Sequence, residues 1–214
     1  MNLKDKVVVI TGASSGIGKA LSDAFLKVGA QVVTPTKTEL DVRDEAQVIK
    51  FTENTVEKYG HIDIWINNAG IAHFFSKQDK VIDMVKAHEI MDVNFFGTVF
   101  GCRTALKYMK EGMIVNIISK AALDATKMGY GKIYAASKWA VRGYLEALVG
   151  ENLNSKVKIL SVYPGGTKTS LWKDYKTENY DDYMDPSVVA EKIIKNLEQE
   201  VPEEHLVINR PVVK

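Results

Sequence analysis

Val7-Val8-Val9-Ile10, four branched apolar residues in a row, restrict this chain more than any other stretch. A strand that is apolar at every position has no face for water, so it must be covered on both sides. The rest of the chain supplies that cover. The apolar spacing from Ile17 to Val28 predicts an amphipathic helix, with Gly29 as its stop. Gln31 to Thr34 reads as a second strand ended by Pro35, and Glu39 to Val42 as a third, very short one. Asp44 caps a helix running to about Tyr59, closed by Gly60. Ile62 to Ile66 is the fourth strand, and a helical stretch from about Lys80 to Met109 is broken near Asp92. Met113 to Ile118 and Val157 to Val162 are further strands, with a helix from Tyr134 to Leu153 between them. Pro186 opens a last helix, as suits a first helical position, and Leu206 to Ile208 is the final strand. Strands alternating with helices predict a three-layer α/β protein whose mainly parallel sheet has about seven strands.

The 214 residues allow one domain spanning 1–214. Net charge is +1 without long blocks of either sign, so nothing suggests nucleic acid or an anionic membrane as the main partner, and neither is expected. Cys102 is the only cysteine, so no intramolecular disulfide framework exists and a reducing compartment is expected. Its expected role is a small buried hydrophobe. Met1 to Lys6 lacks the apolar core of a signal peptide, and no apolar run reaches membrane-spanning length. The expectation is a soluble cytoplasmic protein. The longest region without periodicity is 166–185, and loops of that length are functional lids or disordered segments. Leu171, Trp172, Tyr175, Tyr180 and Tyr183 could line such a lid over a substrate, or the loop could be mobile and partly exposed; the sequence leaves both open.

Between the first strand and helix lies Thr11-Gly12-Ala13-Ser14-Ser15-Gly16-Ile17-Gly18. Glycines there let the backbone turn tightly and approach a ligand, while the helix N-terminus offers free N–H groups to a pyrophosphate. A plain strand-to-helix turn seldom needs three glycines in seven positions. Further on come Asn67-Asn68-Ala69-Gly70 after the fourth strand, and Tyr134 and Lys138 four residues apart on one helix face.

These three motifs, in this order and at these strand positions, resemble those of the short-chain dehydrogenase/reductase family across nearly the whole chain. The resemblance implies a doubly wound Rossmann fold and a nicotinamide dinucleotide cofactor. It implies that Gly12, Ser14, Ser15, Gly16, Ile17 and Gly18 hold the pyrophosphate and its surroundings. Asn68, Ala69 and Gly70 would flank the adenosine, Asn68 also tying strands together, and Asp41-Val42 would lie beside the adenine. Pro164, Gly165, Thr167 and Thr169 resemble the segment that meets the nicotinamide. An acid at the end of the second strand would favour NAD by bonding the ribose 2′-OH. That position falls in Thr34-Pro35-Thr36-Lys37, where Lys37 and the threonine hydroxyls suit a 2′-phosphate, so NADP(H) is slightly favoured over NAD(H).

A tyrosine, with a reference pKa of about 10, is a poor acid or base near neutrality unless positive charge favours its phenolate. Lys138 one turn away supplies such a charge, together with the oxidised nicotinamide, and the family's lysine also grips the ribose. Ser119 aligns with the family's catalytic serine at the end of the fifth strand, and Asn94 with its helix asparagine, which supports a water-linked proton path. The other reading of Asn94 is a helix-interrupting residue bonded to local backbone. Tyr130 is the rival tyrosine, but four residues on it meets Tyr134 and not a lysine; Ser137 sits on a different helix face from Lys138. His73 is set aside, since a lone histidine is more often structural.

The expected activity is hydride transfer between NAD(P)(H) and a small-molecule carbonyl or secondary alcohol, with Tyr134 as general acid/base. The alternatives are a catalytically silent cofactor sensor or scaffold, or an epimerase or dehydratase on the same fold. No metal is called for. A homodimer or homotetramer is expected, although Glu203 to Ile208 lacks the glycine-rich closing segment of many tetrameric relatives.

Overall fold

The computed structural model describes residues 1–74, 82–126, 128–129, 131–153, 155–173, 177 and 179–210. Tyr130, Tyr175 and Lys80 lie outside the described residues. Six strands, β1 (Val7–Ile10), β2 (Gln31–Val33), β3 (Ile64–Asn67), β4 (Gly112–Ile117), β5 (Val157–Pro164) and β6 (His205–Ile208), form one sheet in the order β2-β1-β3-β4-β5-β6. Every neighbouring pair is parallel. The helices are α1 (Gly16–Lys27), α2 (Glu45–Tyr59), α3 (Met84–Met91), α4 (Gly97–Tyr108), α5 (Lys132–Glu151) and α6 (Pro186–Leu197).

The all-apolar strands are explained by cover on both faces. One core packs Phe25 and Leu21 of α1 and Ile193 and Val189 of α6 against Val8, Ile10, Ile64 and Ile66. The other packs Val48 of α2, Cys102 and Ala105 of α4, and Val141 and Leu145 of α5 against Val9, Trp65, Ile114 and Ile159. Cys102 is fully buried, as expected of a small hydrophobe, and burial pushes its thiol up to about 12. It also joins a buried polar network. Trp65 Nε1 donates to Asn67 Oδ1 (2.7 Å), Asn67 Nδ2 to Asn116 Oδ1 (2.9 Å), and Asn116 Nδ2 to Leu160 O (3.2 Å), crossing three strands.

The strand expected at Glu39 to Val42 does not form, so the sheet has six strands where about seven were expected. Glu39 folds back instead, its carboxylate accepting from the Thr36 amide and hydroxyl at 2.8 Å each, while the Glu39 and Leu40 amides donate to Thr36 O. This turn leaves β2 as the sheet edge and drops Leu40 into the core. The caps agree with the sequence reading. Asp44 accepts from the Ala46 and Gln47 amides, Gly60 closes α2 at φ +82°, and Asp185 caps α6 ahead of Pro186. The interruption expected near Asp92 is a π-helical turn at Asp92–Phe96, and the helix before it begins at Met84 with Asp83 as its cap. Among the described residues no helix is long and apolar enough to cross a membrane.

Candidate active site

The chain reverses direction across the sheet between β1 and β3: β1 leads to β2 on one side, and β3 to β4 on the other. Ligands of open α/β sheets bind outside the carboxyl ends of the strands at such a point. A cleft of about 1010 Å³ opens there, at the upper end of the size expected for a small-molecule site.

Local geometry keeps its floor open. Gly12 has φ +67°, and a Cβ there would lie 2.7 Å from Ala69 Cα. A Cβ on Gly18 would collide with Asn68 Nδ2 and Gly12 O. The closeness is used: Asn68 Nδ2 donates to Thr11 O (2.9 Å) and Gly12 O (3.0 Å), and Thr11 Oγ1 accepts from the Asn68 and Ala69 amides at 3.1 Å each. Asn68 therefore ties the ends of β1 and β3 together. At the head of α1 Ser15 makes no side-chain cap, its hydroxyl lying 3.1 Å from that of Ser170, and no acid stands in the first turn. The helix thus presents its N-terminal amides to the cleft with neither a capping side chain nor a negative charge in the way, an arrangement that fits a dinucleotide pyrophosphate.

Of the residues expected to bind cofactor, Gly12, Ser14, Ser15, Gly16, Ile17, Thr36, Lys37, Asp41, Val42, Asn68, Ala69, Gly70, Pro164, Gly165, Thr167 and Thr169 all line the cleft. Gly18 does not; its place is the close packing behind the loop. At the β2 end the Thr36 hydroxyl has partners within its own turn. The Thr36 hydroxyl is engaged by Glu39 at 2.8 Å and Thr38 at 3.0 Å, which leaves Lys37 as the one cation in that turn. Arg43, which the sequence reading missed, also lines the cleft and grips Asp41 through both carboxylate oxygens, at 2.5–3.0 Å. Hydrogen bonding from Arg43 holds the Asp41 carboxyl below its ordinary value. His73 lines the cleft as well, with Nε2 3.2 Å from Glu89 Oε2.

At the other end stand Ser119, Tyr134 and Lys138. The Tyr134 phenol is buried on the α5 face turned to the cleft, near enough to Ser119 for that hydroxyl to favour its phenolate. Ser119 Oγ also accepts from the Ala121 amide at 3.1 Å, capping the short turn Lys120–Ala122. Lys138 Nζ lies 5.7 Å from the Tyr134 ring centroid and donates to Ile117 O at 3.3 Å. Burial pushes the Tyr134 phenol up, against the pull of Ser119. Burial brings Lys138 down to about 8. Burial thus favours the protonated form of the Tyr134 phenol.

Asn94 is fully buried behind this wall, in the π-helical turn. Its amide bonds not its own helix but the strand-to-helix segment after β3. Oδ1 accepts from the Ile71 amide (2.9 Å), and Nδ2 donates to Ile71 O (3.0 Å) and to Ser137 Oγ (3.0 Å). Ser137 in turn donates to Tyr134 O at 2.7 Å, so it braces α5 from behind and leaves the cleft to Ser119.

The roof comes from the 166–185 region. Its ends are zipped by Lys168 N to Met184 O (2.8 Å) and Met184 N to Gly166 O (3.0 Å). Trp172 stacks on Phe74 at 5.0 Å and meets Tyr183 edge-on at 5.2 Å. Phe74 was missed as a partner, being a single aromatic just beyond the Asn-Asn-Ala-Gly motif.

A doubly wound parallel sheet, an uncapped glycine-rich helix start and a Ser-Tyr-Lys group on one cleft wall define a nicotinamide-dependent oxidoreductase. The chain belongs to the short chain dehydrogenase family, whose model matches residues 36–180. It is similar to an oxidoreductase of Staphylococcus saprophyticus, 30% identical over 100% of this chain and 99% of that protein. Among solved structures it resembles an alcohol dehydrogenase of the archaeon Thermococcus sibiricus in complex with 5-hydroxy-NADP (25% identity, TM-score 0.78, covering 98% of this chain and 97% of that one). It also shares its fold with 3-ketoacyl-(acyl-carrier-protein) reductase of Brucella melitensis in complex with NADH (24%, TM-score 0.85, 96% and 97%). The protein is accordingly an NAD(P)-dependent oxidoreductase that moves a hydride between the cofactor and a carbonyl or alcohol carbon; the silent-scaffold and epimerase alternatives are not favoured.

Proposed function

We propose that Tyr134 is the general acid/base of this reaction, Ser119 orients the substrate oxygen, Lys138 holds the cofactor ribose, and Asn94 is a positioning residue. The observation that carries this reading is that Ser119, the buried Tyr134 and Lys138 line one wall of the cleft, with Lys138 Nζ 5.7 Å from the Tyr134 ring. The nicotinamide, when bound, supplies or accepts the hydride. Ser119 donates to the carbonyl oxygen and fixes it beside the phenol, and Tyr134 gives its proton to that oxygen as the alcohol forms. The Lys138 ammonium then stabilises the phenolate left behind. Asn94 and Ser137 hold α5 and the segment after β3 at fixed spacing, so that Gly70, whose added Cβ would stand 3.6 Å from Lys138 Nζ, leaves the ammonium room.

NADP(H) is the preferred cofactor in this reading. Glu39 is turned away to Thr36 and does not line the cleft, while Lys37 does. The chain works as one catalytic domain over 1–214, with 166–185 as substrate lid, in the cytoplasm. Exposed Phe96 on the π-helical turn and Trp139 on α5 support a homodimer or homotetramer.

The test is Tyr134→Phe assayed for carbonyl reduction with NADPH and NADH. General acid catalysis is worth about 10²–10⁴-fold, so kcat should fall by that much while NADPH binding persists. Turnover at the wild-type rate would remove Tyr134 from the role.

A further inference from the structure

Two cations of the cleft are used by nothing described above. Lys120 comes directly after the reactive Ser119, and Arg210 lies two residues beyond β6; both line the cleft. Their stems converge over Gly165, where an added Cβ would lie 3.6 Å from Lys120 Cδ and 3.6 Å from Arg210 Cγ. Among the described residues neither forms an ion pair, unlike Arg43, which pairs with Asp41. Each is nevertheless held in place. Lys120 Nζ donates to Asn209 Oδ1 at 2.6 Å, which leaves two of its three N–H groups for a ligand. The Arg210 guanidinium lies over the Tyr183 ring at 5.1 Å, a stacking contact that leaves its N–H edges open. The acid of the same wall, Asp124, has Oδ1 taken up by the Thr126 amide (2.9 Å) and hydroxyl (2.6 Å).

Two cations whose stems pass the same point of the cleft wall attract an anion placed between them, and low-dielectric walls strengthen that attraction. The chain as a whole carries only +1, so the pair is not part of a general excess of cations. From this geometry we infer that Lys120 and Arg210 bind an anionic group on the substrate, a carboxylate or a phosphate, so that the enzyme acts on oxo or hydroxy compounds bearing such a group. The inference rests on the Tyr134 reading, because it places the anion beside the Ser119–Tyr134 hydroxyl pair.

The experiment compares matched substrates with NADPH: 4-oxopentanoate, 5-oxohexanoate and 6-oxoheptanoate, each against its methyl ester, and dihydroxyacetone phosphate against dihydroxyacetone. At least one anionic member should exceed its neutral partner in kcat/KM by tenfold or more, and the better of the two series tells carboxylate from phosphate. In Lys120→Met/Arg210→Met that ratio should fall towards one, with the loss in KM. Methionine keeps most of the apolar stem, and an unchanged circular dichroism spectrum excludes misfolding as the cause. Neutral partners turned over as well as the anions would overturn the anion site while leaving the Tyr134 reading intact. Absence of any turnover would count against the Tyr134 reading, and calorimetric titration of the same acids and esters into the NADP⁺-saturated enzyme then decides the anion site separately. Weaker NADPH binding in the double variant with an unchanged acid-to-ester ratio would assign the two cations to the cofactor and sink the proposal.

Discussion

Lys138 carries the clearest conflict between stability and function at the scale of single residues. It is 5% exposed, and burial brings its ammonium from 10.5 down to about 8. Between those values the unfolded chain carries a proton that the native protein does not, so native stability rises with pH across that window. Below pH 8 the native state must hold a buried ammonium, at a cost of about 3 kcal/mol for a shift of this size. Lys138→Met should therefore abolish turnover yet resist denaturant better than wild type at pH 7, with the advantage shrinking towards zero by about pH 10. Urea unfolding at the two pH values measures it. A variant less stable than wild type at pH 7 would mean that the bond to Ile117 O outweighs the burial cost. Tyr134 shifts the opposite way for the same physical reason: burial disfavours whichever form is charged.

The first βα unit and the π-helical turn are the elements that shape the site. Gly18 does not touch the cleft, yet it sets how closely α1 approaches the Asn68 side chain. Gly18→Ala must displace that side chain or the Gly12 carbonyl, and overpacking of this kind costs about 1–3 kcal/mol. NADPH affinity should fall tenfold or more, because the amides at the head of α1 move with the loop; fluorescence titration reads this, and an unaltered affinity would show that the loop tolerates the shift. The extra residue of the π-helical turn re-aims Asn94 out of its helix ladder and onto Ile71, and such turns recur at functional sites. The helix break was legible in the Asp-Val-Asn run. Its partner was not, because Ile71 is 23 residues away.

Across the whole molecule, the cleft is where the strand order reverses, and cations stand at both of its ends. At the β2 end Lys37 stands without an acid partner among the described residues, because the turn at Thr36–Leu40 takes up Glu39. A charge-assisted hydrogen bond contributes about 1.5–3 kcal/mol. Lys37→Ala should therefore lower the NADPH-over-NADH ratio of kcat/KM by about tenfold or more, through KM. A ratio that does not move would place the preference elsewhere, with Arg43 the next residue to vary.

The sequence by itself determined the layered α/β fold, the positions of its strands to within two residues at either end, and the glycine loop. It also named the Ser119, Tyr134 and Lys138 set. These depend on local properties: side-chain periodicity, capping chemistry, and the spacing that puts two residues on one helix face. Only the tertiary structure decided that Glu39 to Val42 is a turn, because the competing hydrogen bonds to Thr36 and the burial of Leu40 outweigh the short apolar pattern. It alone decided that burial sets the Tyr134 and Lys138 proton affinities, and that Lys120 and Arg210, 90 residues apart in the chain, meet over Gly165. Burial and long-range charge proximity exist only once the strands are ordered side by side, and no window of sequence contains them.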